Sequence, residues 1–143
     1  MIELKLTLPV SRFWDMNQTP EELFSQHDKV YLDLTRKSSK HDDGYTGMRI
    51  MIPDGDENHF TEIGIDSEGF TYEGDLCDHS LITKSSVYLI ETKKAIDAMI
   101  HFKNACDNVS SLSSYLTSLH LDHDCCYMCI DTDYTSYKKS FNN

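Results

Sequence analysis

Residues 50–83, IMIPDGDENHFTEIGIDSEGFTYEGDLCDHSLIT, carry nine Asp or Glu and no Lys or Arg. The apolar residues among them, Ile50, Ile52, Phe60, Ile63, Ile65, Phe70 and Tyr72, recur at the spacing of strands. A disordered acidic segment would lack them, so the stretch predicts a folded sheet with carboxylates coating one face. Pro53-Asp54-Gly55-Asp56 and Asp66-Ser67-Glu68-Gly69 have turn chemistry and divide it into strands over 45–52, 59–65 and 69–76. Glu62 shares a side with Phe60 while Ile63 and Ile65 fall out of step with them, which points to a bulge near Gly64.

Outward toward the N-terminus, residues 29–36 alternate, with Val30, Leu32 and Leu34 opposite Tyr31, Asp33 and Thr35. The polar stretch from Lys37 to Tyr45 joins this strand to the next, and Asp43-Gly44 supplies its turn. Thr19-Pro20-Glu21-Glu22 starts a short helix that runs to about Asp28: an N-cap, a proline at the first helical position and acids in the first turn. Phe13 and Trp14 before it are expected to cover one end of the sheet. Residues 2–10 alternate again, with Ile2, Leu4, Leu6, Leu8 and Val10 on one face, and predict a first strand.

Toward the C-terminus the period changes. Residues 87–90 fit either one more strand or the lead into a helix. From Thr92 as N-cap, Lys93 to Asp107 is helical, with Ala95, Met99, Phe102 and Cys106 on one stripe. A second helix is expected from Ser110 or Ser111 to about His120, a strand over 125–131 and a frayed tail over 138–143. The expected fold is α+β: an antiparallel sheet of about five strands packed against one or two C-terminal helices, with a short helix after the first strand. All of it forms one domain, 1–143.

The formal net charge is −11, and the segment 50–83 supplies −9 of it. A field of this sign repels phosphate backbones and anionic lipid, which disfavours direct nucleic-acid or membrane contact and attracts a basic protein. No apolar run approaches the ~18 residues of a membrane span. The first ten residues read as a strand rather than a signal peptide. The five cysteines, an odd number, then read as thiols in a cytosolic chain.

Two groups of side chains are candidate sites. The first is the carboxylate set Asp54, Asp56, Glu57, Glu62, Asp66, Glu68, Glu73 and Asp75, with tyrosine among them, which suits an Arg-rich partner surface. The second is His120, His123, Cys126 and Cys129, spaced three apart and chemically suited to zinc, with Cys77 and His79 able to supply another pair. The alternative for Cys126, Met128 and Ile130 is one buried strand face. No nucleotide-binding or hydrolase motif is present, and Asp54, Asp56 and Glu57 do not match a calcium loop.

The sequence therefore predicts a small acidic inhibitor that occludes a basic, nucleic-acid-handling partner. It would bind through the carboxylate set, without catalytic residues or a required cofactor. Immunity proteins and phage inhibitors of host defence share that profile of charge and size. A small zinc-dependent or cysteine enzyme centred on residues 120–129 is the alternative. A third reading is a structural subunit that uses Tyr115, Leu121 and Tyr127 as contacts.

Overall fold

The acidic stretch folds as two hairpins at the centre and one side of an antiparallel sheet. The computed structural model describes residues 9–36 and 38–107. Its elements are helix α1 (Pro20–Ser25), strands β1 (Lys29–Arg36), β2 (Gly47–Asp54), β3 (Asp56–Asp66) and β4 (Gly69–Cys77), a 3-10 turn at Leu81–Thr83, strand β5 (Val87–Glu91) and helix α2 (Thr92–Asp107). The strand order is β4-β3-β2-β1-β5, and every neighbour is antiparallel. This is the expected α+β arrangement.

Each element follows from local chemistry. The Thr19 hydroxyl accepts the Glu22 amide at 3.1 Å and caps α1, which stops at Ser25, three residues before the predicted end. Residues 87–91 resolve as a strand that passes directly into α2. There the Thr92 amide donates to the Asp28 carbonyl at 3.0 Å and its hydroxyl donates to the His27 carbonyl. β2 and β3 run further into their turn than the sequence suggested, with only Gly55 between them. The N-terminal strand stretch is represented by Val10, which bridges Phe70 in parallel. Residues 2–8 of that prediction, the helix at 110–120, the strand at 125–131 and the tail lie outside the described residues.

One sheet face carries Val30, Leu32, Leu34, Met48, Ile50, Ile52, Ile63, Ile65 and Phe70 against Ala95, Ile96, Met99 and Phe102 of α2 and Leu23 and Phe24 of α1. Apolar burial of this extent is the main stabilising term. The opposite face is also covered. Met51, Phe60 and Leu81 form a smaller apolar cluster with Tyr31, Leu76 and Val87 packed on it. The rest of that face is polar, and there the loop before β2 folds back onto the sheet.

The edge of β4 is blunted by the N-terminal segment. Phe70 donates to the Pro9 carbonyl, Ser11 donates to Phe70 and Tyr72 donates to Phe13, at 3.0–3.3 Å. Gly69 permits the approach, because a Cβ there would lie 2.3 Å from the Pro9 carbonyl oxygen.

Candidate functional site

The eight carboxylates singled out in the sequence do not share one surface. Strand direction decides this. The Gly55 turn lies at one end of the sheet and the Ser67-Glu68 turn at the other, a full length of β3 away. Between them, alternation sends Glu62 to the polar face.

Glu62 and Glu73 are each 8% exposed and flank Arg49, which is fully buried. The bulge near Gly64 is real, but its extra residue is Glu73 on β4: Glu62 pairs with Gly74 and Ile63 with Tyr72. That offset holds Glu73 on the same face as Glu62. Arg49 Nη2 donates to Glu73 Oε1 at 3.3 Å and to the Ser38 carbonyl at 3.1 Å, and Nη1 donates to the Met48 carbonyl at 2.8 Å. Among the described residues its Nε has no hydrogen-bond partner, and it sits 3.9 Å from Glu62 Oε2. Arg36 grips Glu62 in a fork, at 3.0 and 3.2 Å. Gly64 lies beneath this cluster, where a Cβ would be 2.9 Å from Arg49 Nε, Glu73 Cγ and Thr71 Oγ1.

Glu73 also anchors the loop. It accepts from Ser39 Oγ at 2.6 Å, the Lys40 amide at 3.1 Å and Thr71 Oγ1 at 2.9 Å. His41 Nε2 lies 3.1 Å from the Tyr72 carbonyl and 3.7 Å from Glu73 Oε2, with its ring stacked on Phe13. Burial raises the Glu73 pKa, but Ser39, Arg49 and Thr71 outweigh it and the net shift is downward. Burial also lowers the Arg49 pKa, against the opposing pull of Glu73 and Glu62. The cluster is internal and charge-compensated, which suits it to holding the fold together.

Asp66 is 1% exposed. It accepts from Ser11 Oγ at 2.6 Å and from the Glu68 and Gly69 amides at 2.8 and 3.1 Å, which closes the β3–β4 turn. Glu68 is exposed but forked by Arg12, which holds its pKa down to about 2.

Of the remaining four, three lie at the opposite end and Asp75 stands opposite Thr61, midway along β3. Asp54, Asp56, Glu57 and Asp75 are exposed on the β2–β3 turn and the adjoining part of β4. Asp15, which the sequence reading passed over, joins them. The Tyr72 pKa is raised by burial first and then by Asp75, Asp54 and Asp15, so these carboxylates act on one ring. Tyr72 donates its hydroxyl to Asp75 at 3.0 Å. An open cleft of about 600 Å³ lies between Tyr72 and Asp15, Met16, Asn17 and Gln18. Among the described residues none of these five carboxylates pairs with Lys or Arg, and Asp56 has His59 Nδ1 at 3.7 Å.

No protein-family model, curated protein or solved structure matches this chain significantly. The site therefore stands on its own geometry. His120, His123, Cys126 and Cys129 lie outside the described residues, as do Tyr115, Leu121 and Tyr127. Among the described residues, no group of three or more His, Cys, Asp or Glu is placed to hold a metal ion, and Cys77 is an exposed thiol. No helix among them is long and apolar enough to cross a membrane.

Two signals for the buried cluster were present in the sequence. Arg49 is the lone charge in the run Met48–Ile52, and Glu62 falls on the Phe60 side of β3. What alternation could not reveal is that this second side is covered.

Proposed function

We propose that this chain is a small acidic binding protein of the cytosol that occludes a basic, nucleic-acid-handling protein, without catalysis and without a required metal. The supporting observation is the set Asp15, Asp54, Asp56, Glu57 and Asp75. These are exposed carboxylates with no lysine or arginine paired to them among the described residues, and three of them, Asp15, Asp54 and Asp75, act on the Tyr72 ring. Unpaired charge is free to attract an opposite charge over roughly a Debye length of ~10 Å, which accelerates docking. Tyr72, whose ring already has Lys40 Nζ 5.9 Å from its centroid, borders a cleft of mixed polar and apolar lining that an arginine side chain can enter once docked. Glu62, Asp66 and Glu73, turned inward, supply rigidity rather than contact.

The test begins with a pull-down from lysate, eluted in rising salt with mass spectrometry of each step, to obtain the basic partner. Association is then measured at low salt with Asp54, Asp56, Glu57 and Asp75 reversed to lysine. The on-rate is expected to fall by about tenfold or more. Reversal of Glu68 at the other end should leave it nearly unchanged. Equal effects at both ends would replace local recognition with general charge attraction. No effect at either end would remove the electrostatic mechanism.

A further inference from the structure

The Tyr72 ring already carries a cation. Lys40 Nζ lies over it, 5.9 Å from the centroid and within reach of a cation–π contact. Asp15, Asp54 and Asp75 act on the same ring, and Asp75 accepts its hydroxyl at 3.0 Å. Lys40 is exposed and pairs with no carboxylate among the described residues, so the ring is the contact of its ammonium there.

The backbone and the side chain of Lys40 are held very differently. Ser39 Oγ donates to Glu73 at 2.6 Å, the Lys40 amide donates to the same carboxylate at 3.1 Å, and the His41 amide donates to Ser39 Oγ at 3.2 Å. His41 Nε2 then lies 3.1 Å from the Tyr72 carbonyl. The Lys40 backbone is therefore fixed beside β4, while its long stem runs over exposed surface. Rotation of that stem takes the ammonium off the ring without disturbing the buried cluster. A guanidinium has the advantage in an exchange there. It is planar, stacks on an aromatic face and presents several donors to Asp75 at once, whereas an ammonium is a strongly hydrated point charge. The open cleft between Tyr72 and Asp15, Met16, Asn17 and Gln18 gives such a side chain its way in.

We propose that Tyr72 is a subsite for one arginine side chain of the basic partner, and that Lys40 is its built-in occupant, displaced when the arginine docks. This rests on the reading of the exposed carboxylates as a binding surface, and adds to it the residue type recognised and a tethered competitor. The exchange of one cation for another leaves the charge at the ring unchanged. Lys40 therefore lowers the affinity for every incoming cation. It also favours a guanidinium, which outcompetes it, over a lysine that merely takes its place.

The probes are tri-arginine and tri-lysine peptides, added to the full chain at about 0.1 M salt, where charges further apart than ~10 Å are screened. Proton NMR follows the Lys40 ε-methylene. Over the ring it is expected to resonate upfield of an ordinary lysine, and to return to the ordinary position as tri-arginine saturates the site. Lys40→Ala should tighten tri-arginine binding about two- to fivefold, and Lys40→Arg should weaken it. Lys94→Ala makes the same change of net charge beside β5, at the opposite edge of the sheet, and should leave the affinity unchanged. Tri-lysine should bind more weakly than tri-arginine. A Lys40 methylene that is not upfield in the free chain, or that stays upfield with tri-arginine bound, overturns the proposal. So do equal gains from Lys40→Ala and Lys94→Ala, or tri-lysine binding as tightly as tri-arginine. Failure of tri-arginine to bind any of these variants would instead remove the carboxylates as a binding surface, and the displacement with them.

Discussion

Glu73→Ala tests the reading that the polar face is an internal strut. The Glu73 side chain is 2% exposed and Arg49 beside it 0%. The substitution removes acceptors used by Ser39, the Lys40 amide, Thr71 and Arg49. Arg49 keeps two backbone carbonyls and a carboxylate at 3.9 Å from its Nε, so a buried cation loses the one counter-ion hydrogen-bonded to it among the described residues. Breaking a buried pair on one side costs roughly 3–5 kcal/mol. Against a total of about 5–15 kcal/mol for a domain, that is a large fraction. Urea unfolding at pH 7 should show the loss as a lower midpoint with an unchanged slope. Limited proteolysis should find new cleavage within residues 38–46, because the loop loses its anchor.

Acid sharpens the test. The folded Glu73 pKa is depressed below its ordinary 4.5. Its contribution is therefore complete above the unfolded value and is lost as pH falls through the folded one. Glu73→Gln should thus be less stable than wild type at neutral pH and lose less stability on acidification below about pH 4.5. The double change Arg49→Met with Glu73→Leu should recover much of the deficit, since no buried charge is then left unpaired. A Glu73→Ala cost under about 1 kcal/mol would refute the strut, because it would mean that water or another group satisfies Arg49.

Other consequences are simpler. Gly64→Ala forces a methyl to within 2.9 Å of Arg49, Glu73 and Thr71, and overpacking should cost about 1–3 kcal/mol in the same unfolding assay. Phe102→Ala empties the fully buried centre of the α2 contact, and a loss of about 3–5 kcal/mol by urea unfolding is expected. Thr19→Ala deletes the α1 cap and should cost about 1 kcal/mol, read as a small drop in unfolding midpoint.

Local sequence signals placed most of the elements, though β5 stayed open between strand and helix. Alternation in 29–36 and 45–76 placed β1 to β4, the Thr19-Pro20 pair began α1, and the Ala95–Cys106 stripe placed α2 within a residue of its start. These signals are local: period, caps and turn residues act over a few positions. The fate of the carboxylates was decided only in the tertiary structure. Alternation puts Glu62 and Glu73 on the side away from α2, but it does not say whether solvent or chain lies there. Ser39 and His41 settle that from some thirty residues earlier in the sequence, by closing over Glu73. Strand direction likewise separates Glu68 from Asp54, and the N-terminal segment bonded along β4 brings Asp15 to Tyr72. Charge along the chain is additive and legible, whereas burial depends on which distant segments meet. Eight of the nine acids in that run therefore become a buried strut, a closed turn and an exposed patch.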